Sequence, residues 1–173
     1  HEGRGLEARD WFAVLTTLLE EAGDDERAID LGRAVAAGPL HPALIAFSAS
    51  PDIATGVRRL ATFKPLIAPI SLHVAETNGQ PQIAAMELAY FIELFRLFSA
   101  NDITPLFITL PAAANPLALA RFARCEVRQG ATAQLVLSRD AANTPIVSAD
   151  TEVYRAIERE MGLRLKALHS GDG

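Results

Sequence analysis

Apolar residues recur at offsets of three and four from Trp11 through Val14, Leu15, Leu18, Leu19 and Ala22, which places them on one face of a helix. Gly23 ends that pattern with the residue best suited to a left-handed C-terminal turn. A second helix is predicted from about Asp25, with Ala28, Ile29, Leu31 and Val35 inward, and Gly38-Pro39 breaks it. Ala43 to Phe47 reads as a short third helix. At Ser50-Pro51-Asp52 a hydroxyl at the N-cap, a proline at the first helical position and an acid in the first turn announce a fourth. It is predicted to run to about Phe63, burying Ile53, Val57, Leu60 and Phe63 and turning Arg58 and Arg59 outward.

The period then changes to two. Ile70, Leu72 and Val74 alternate with Ser71, His73 and Ala75, Asn78-Gly79 supplies a turn, and Ile83 to Met86 reads as the returning strand. Pro81 places that second strand at an edge. Ala89 to Ser99 is helical in length and apolar almost all round, as expected of a helix sandwiched in a core or sharing a face with a partner. Leu106 to Leu110 reads as a strand between two prolines, Asn115-Pro116 opens a short helix through Phe122, and Glu126–Arg128 with Ala133–Leu137 reads as a pair of strands around Gly130. From Asp150 a tail helix is expected, interrupted or ended at Gly162. The order predicts a single α+β domain over residues 1–173. In it, helices pack on a mainly antiparallel sheet built from two hairpin-like pairs and an additional strand.

Composition narrows the class. The chain has 173 residues, 50% hydrophobic and 21% charged, enough to bury a core without staples. Its 21 acidic against 16 basic residues leave a net charge of -5, the wrong sign for a domain that grips nucleic acid itself. The single cysteine, Cys125, excludes an internal disulfide and fits a cytoplasmic setting. No run approaches the ~18 apolar residues of a membrane span. The chain opens on His1 without a signal-peptide pattern, as a piece of a longer protein would.

Catalytic chemistry finds little support. A cysteine nucleophile needs a base within hydrogen-bond reach, and no glycine-rich elbow surrounds Cys125. The four histidines, His1, His41, His73 and His169, share no i,i+3 or i,i+4 spacing, so no metal site is expected. Glu20-Glu21 and Asp24-Asp25-Glu26 look like helix ends on a wet surface. No cofactor is expected. What remains is an apolar ligand cavity: Phe47, Phe63, Tyr90, Phe91 and Phe107 could wall one, with Lys64, His73 or Arg96 fixing a polar end. The same aromatics could instead fill a solid core. An anionic effector would use Lys64 or an arginine, a cationic one Glu87 or Glu93.

Four blocks carry a resemblance. Ala49-Ser50-Pro51-Asp52-Ile53-Ala54-Thr55-Gly56-Val57-Arg58-Arg59-Leu60-Ala61-Thr62-Phe63 is similar to the run "S-S-P-T-L-x-E-A-L-R-R-L-x-x-Y" of AraC-type regulators with an arabinose-binding-type N-terminal domain, like those for ornithine utilisation. Ala28 to Val35 resembles "L-G-L-R-L-G-x-x-V", Arg121 to Gly130 resembles "F-F-G-C-P-V-R-F-G", and Asn143 to Asp150 resembles "x-R-P-L-P-x-A-D". The blocks span about residues 6 to 160 in order. Departures fall at Ala123-Arg124 for the glycine of the third block, Glu126 for its proline and Gln129 for its second phenylalanine. Pro39 and His41-Pro42 also alter the turn after the second helix.

The resemblance implies a non-enzymatic module of a bacterial transcription regulator that binds a small-molecule effector and forms a homodimer. It further implies a C-terminal pair of helix-turn-helix motifs that reads DNA. The residues after Asp150 are too few for that pair, so DNA is expected to be reached only through a part absent from this chain. The alternative is a dimerisation or protein-interaction module with no small ligand.

Overall fold

Helix starts in this chain are set by side chains that accept hydrogen bonds from otherwise orphaned backbone N–H groups. Asp24 accepts from Arg27 N at 2.8 Å, His41 Nδ1 from Ala43 N at 3.2 Å and Asp52 from Thr55 N at 2.7 Å. Ser138 accepts from Ala141 N at 3.0 Å, and Asp150 from Glu152 N at 2.8 Å and Val153 N at 3.0 Å. The computed structural model describes residues 17–19, 21, 24–67, 81–110 and 116–170. Within them lie helices α1 (Asp25–Ala36), α2 (Pro42–Ser48), α3 (Ile53–Ile67) and α4 (Pro81–Phe98), then strand β1 (Phe107–Leu110). Helix α5 (Pro116–Ala123), strands β2 (Glu126–Gln129) and β3 (Gln134–Val136), the single turn α6 (Arg139–Ala142) and α7 (Thr151–Ser170) complete the order.

The domain is mostly helical, which overturns the expected α+β fold on a mainly antiparallel sheet. Among the described residues the sheet has three strands in the order β2-β1-β3. Phe107 to Leu110 pairs in parallel with Glu126 to Gln129 and antiparallel with Gln134 to Val136. The strands at 126–129 and 134–136 therefore do not form a hairpin with each other; each takes one edge of β1. Helix α5 is what allows the parallel pair, since it carries the chain back between β1 and β2.

The other expected hairpin also fails on its described half. Ile83 to Met86 is helical and continuous with the rest of α4. Pro81 suits the first turn of a helix, Ala84 to Leu88 contains strong helix formers, and Ile83, Ala84 and Ala85 are all buried, which a half-exposed edge strand would not allow. The first strand of that hairpin, with Asn78-Gly79, lies outside the described residues, as does most of the first predicted helix; Thr17–Leu19 is helical.

Helix α4 joins two cores. Leu94 and Phe95 enter a cluster with Ala43, Phe47, Ile53, Leu60, Phe63, Ile103, Ile146 and Met161. Ala84, Leu88, Ala89 and Ile92 enter a second with Ile29, Ile108, Leu110, Ala118, Leu119 and Ala123. Most of the apolar surface of α4 is thus buried inside the domain, while Leu97 near its end is exposed.

Smaller corrections follow from close packing. Val57 and Val35 point outward, while Gly56 and Gly32 occupy the buried faces of their helices. A Cβ on Gly56 would stand 2.6 Å from Cδ2 of Phe47, so the missing side chain is what seats that ring. A Cβ on Gly32 would fall on the carbonyl oxygen of Met86, because α1 and α4 pack backbone to backbone there. Helix α7 passes through Gly162 unbroken; a Cβ there would meet nothing, and one glycine costs a twenty-residue helix only about 1 kcal/mol.

Gly32→Ala should therefore destabilise the domain by about 1–3 kcal/mol, despite alanine's better helix propensity, because the clash is with backbone. Urea unfolding reads this as a lower midpoint at unchanged slope. A variant as stable as the parent would show that α1 and α4 separate freely.

Candidate functional site

Of the eight residues that the sequence offers for a ligand cavity, the structure brings Phe47, Phe63, Tyr90 and Phe91 together. Phe47 is fully buried and Phe63 nearly so, in one cluster, and half-buried Tyr90 packs against that cluster. The rings form a continuous chain along α4 and α2. Tyr90 meets Phe91 edge-on at 5.2 Å, Phe91 lies 6.2 Å from Phe95, and Phe95 stacks on Phe47 at 5.9 Å. Phe98 closes the far side, edge-on to Phe47 at 6.1 Å. Each such pair contributes on the order of 1 kcal/mol beyond burial.

Tyr90 is the polar end of this chain of rings. Burial pushes its phenol up to about 12, so the hydroxyl stays protonated at neutral pH. Its ring contact is with Phe91.

Phe107 sits elsewhere. Ile108 and Leu110 face the second core, so alternation on β1 turns Phe107 and Thr109 to the other side of the sheet. There the Arg128 guanidinium covers the Phe107 ring at 4.3 Å. Lys64 falls within α3, and His73 lies outside the described residues.

Arg96, also considered for the polar end, is committed to the fold. Its Nε donates to Ile103 O at 3.1 Å, and its terminal nitrogens donate to Phe122 O at 3.1 Å and Ala123 O at 3.3 Å. Asp102 lies 3.3 Å from Nε, and the guanidinium stands over the Phe122 ring at 4.9 Å. One arginine thus ties α4 to the last carbonyls of α5 and to the loop before β1.

A second constellation was missed from sequence. Ser50, expected at a helix N-cap, is instead fully buried; Asp52 does the capping two residues later. Ser50 Oγ donates to Ala46 O at 2.8 Å and accepts from Arg59 at 2.9 Å. Arg59, expected to point outward, is half-buried with its guanidinium 3.2 Å from the centroid of the Tyr154 ring on α7. Tyr154 in turn donates to Glu158 at 2.6 Å. Nearby, Ser148 Oγ donates to Ser48 O at 2.8 Å and Asp150 N to Ala49 O at 3.2 Å. Three successive residues after Phe47 therefore hold the segment leading into α7. An aromatic at 154 with an arginine at 59 gave no signal in sequence because the pair is ninety-five positions apart.

Cys125 is half-buried, and burial pushes its thiol up, the opposite of an activated nucleophile. Among the described residues no three metal-ligating side chains converge, and no helix is long and apolar enough to cross a membrane. Asp24 and Glu26 do stand at a helix start, the first as cap and the second paired with Arg121.

The family model for the arabinose-binding domain of AraC transcription regulators, N-terminal, matches residues 1–146. No curated protein and no solved structure matches the chain. Helix α7 lies beyond the matched stretch.

Arg124 now has a physical reading. It stands where the resembling pattern carries glycine, and its φ of 60° is the left-handed conformation that ends α5. Its ion pair with Asp102 is half-exposed, worth about 0–1 kcal/mol. Arg124→Gly should be more stable than Arg124→Ala by about 1 kcal/mol, since both lose the pair and only glycine removes the strain. Equal urea midpoints for the two would remove backbone strain from the account.

His41 gives a pH dependence. Burial and the Arg164 charge lower its pKa below the ordinary 6.5. Neutral Nδ1 is also what accepts from Ala43 N. The unfolded chain therefore binds this proton first, so His41's contribution is complete above pH 6.5 and is lost as pH falls through the folded value. Carboxylates such as Asp102, whose pKa is lowered, act nearer pH 4 or below. Thermal midpoints should fall from pH 7 to 5.5 in the parent and fall less in His41→Asn; parallel curves would discard His41 as the source.

Proposed function

The chain belongs to the N-terminal arabinose-binding domains of AraC transcription regulators, a family of ligand-sensing regulatory domains, and we propose that it binds a small-molecule effector at the aromatic cluster to control DNA binding elsewhere in its regulator. The observation that carries this reading is the family match across residues 1–146. The cluster supports it with a half-buried phenol, Tyr90, at the end of a run of rings, the mix of apolar wall and single polar group that small-molecule sites use. Phe47, Phe63 and Tyr90 are the proposed contacts, with Lys64 and His73 as further candidates. Phe107 is the weakest of these candidates, since it lies against Arg128 on the sheet. No catalytic role is proposed. The acidic balance of the chain favours DNA recognition by another part of the regulator, in the cytoplasm, with no membrane involvement.

Helix α7 favours a homodimer as a companion reading. Val153, Leu163 and Leu168 are large apolar side chains exposed along α7. A dimerisation module with no small ligand remains the competing reading.

Effector binding must favour one conformation over another to control anything, and binding to the folded state alone already raises the melting midpoint. We expect one class among pentoses, amino acids, short carboxylic acids and fatty acids to raise it in a concentration-dependent way. At a hundredfold excess over Kd the gain is about 2.7 kcal/mol. Tyr90→Phe should diminish that shift while leaving the ligand-free midpoint within about 0.5 kcal/mol of the parent. A blank panel with a concentration-dependent dimer would replace sensing by dimerisation.

A further inference from the structure

We propose that α7 is a releasable output helix, clasped to the aromatic cluster so that a rearrangement around Phe47 frees it. The proposal rests on the sensing reading for its purpose, but its mechanics stand on geometry alone. Among the described residues of α7 only Met161 is buried, and it enters the cluster that holds Phe47, Phe63 and Phe95. Tyr154 and Ile157 reach the same cluster half-buried. The rest of the helix is largely in solvent, the signature of an element that opens below the global unfolding energy.

What holds α7 down converges on one turn. Ser48 O takes Ser148 Oγ, Ala49 O takes Asp150 N, and Ser50 Oγ takes Arg59, whose guanidinium lies on Tyr154. Asp150 is also the N-cap of α7. Each anchor is thus one to three residues from Phe47, a fully buried ring wedged against Gly56 on one side and stacked on Phe95 on another. The ring cannot shift far without moving the turn, because interiors packed this closely respond in steps and not by continuous deformation. Displacement of Phe47 therefore disturbs three anchors of α7 together.

Native-state hydrogen exchange on the whole chain tests this without any ligand. In the parent, amides of α7 should open at lower free energy than those of α4. Arg59→Met and Tyr154→Leu should each speed exchange across α7 about ten-fold while leaving α4 and β1 unchanged. Phe47→Leu should give the same selective release, and its effect on α7 should largely vanish in combination with Tyr154→Leu. Tyr154 is half-exposed on the outer helix, so its variant keeps the test alive if Arg59→Met does not fold. Exchange of α7 and α4 at one rate in parent and variants would overturn the proposal. So would a Phe47→Leu protein that loosens α4 and spares α7. A blank ligand panel leaves these results standing, whereas a bound effector over an unreleasable α7 would end this proposal and spare sensing.

Discussion

Helix α4 is buried on opposite faces, and that constraint organises the rest of the domain. A single helix can fill two cores only if both sides are apolar and every charge on it is answered. Leu94 and Phe95 serve the aromatic cluster, while Ala84, Leu88, Ala89 and Ile92 serve the cluster under the sheet. Arg96 is the charge that most needs answering, and three carbonyls, Asp102 and the Phe122 ring do so. An arginine so engaged acts as a rivet between α4, α5 and the loop into β1. Three of its five N–H donors go to carbonyls of the fold itself.

The two sides of α4 therefore have different characters. Toward the sheet the packing uses small residues and backbone proximity, with Gly32 letting α1 lie directly on α4. Toward α2, α3 and α7 it uses large rings whose contacts run from half-buried Tyr90 to fully buried Phe47. A sensing domain needs one region rigid enough to define a state and another able to choose between states. The ring-lined side carries the thinly held α7, on which Met161 is the buried residue among those described, for the second role; the sheet side has the closeness for the first.

Much of the helical outline was legible along the chain, because amphipathic period and capping residues are local. The boundaries around Gly38, the helix up to Phe63, β1 and the tail after Asp150 all followed from spacing and turn chemistry. The strand reading of Ile83 to Met86 failed where periodicity is ambiguous: four apolar residues fit either period, and burial on both faces decided for helix. The sheet order failed for a different reason. Strand sequences carry no record of which neighbour they pair with, and α5 made a parallel pairing available where a hairpin was expected. Of the candidate site, the aromatic character of Phe47, Phe63 and Tyr90 was visible, whereas the roles of Arg96, Ser50 and Arg59 were not.

The sequence by itself determined the class of molecule: an acidic domain with one cysteine, scattered histidines and blocks of residues resembling a family of regulator sensing domains, now matched over residues 1–146. Local rules suffice for that, since composition, capping and helical period act within a few residues. Only the tertiary structure decided which charges are spent and which rings meet. Arg96 finds carbonyls up to twenty-seven positions away, Ser148 finds Ser48 one hundred away, and Arg59 finds Tyr154 across six intervening elements. Such partnerships exist only after the chain has folded back on itself, because desolvation makes each buried polar group seek whatever partner the packing brings within reach.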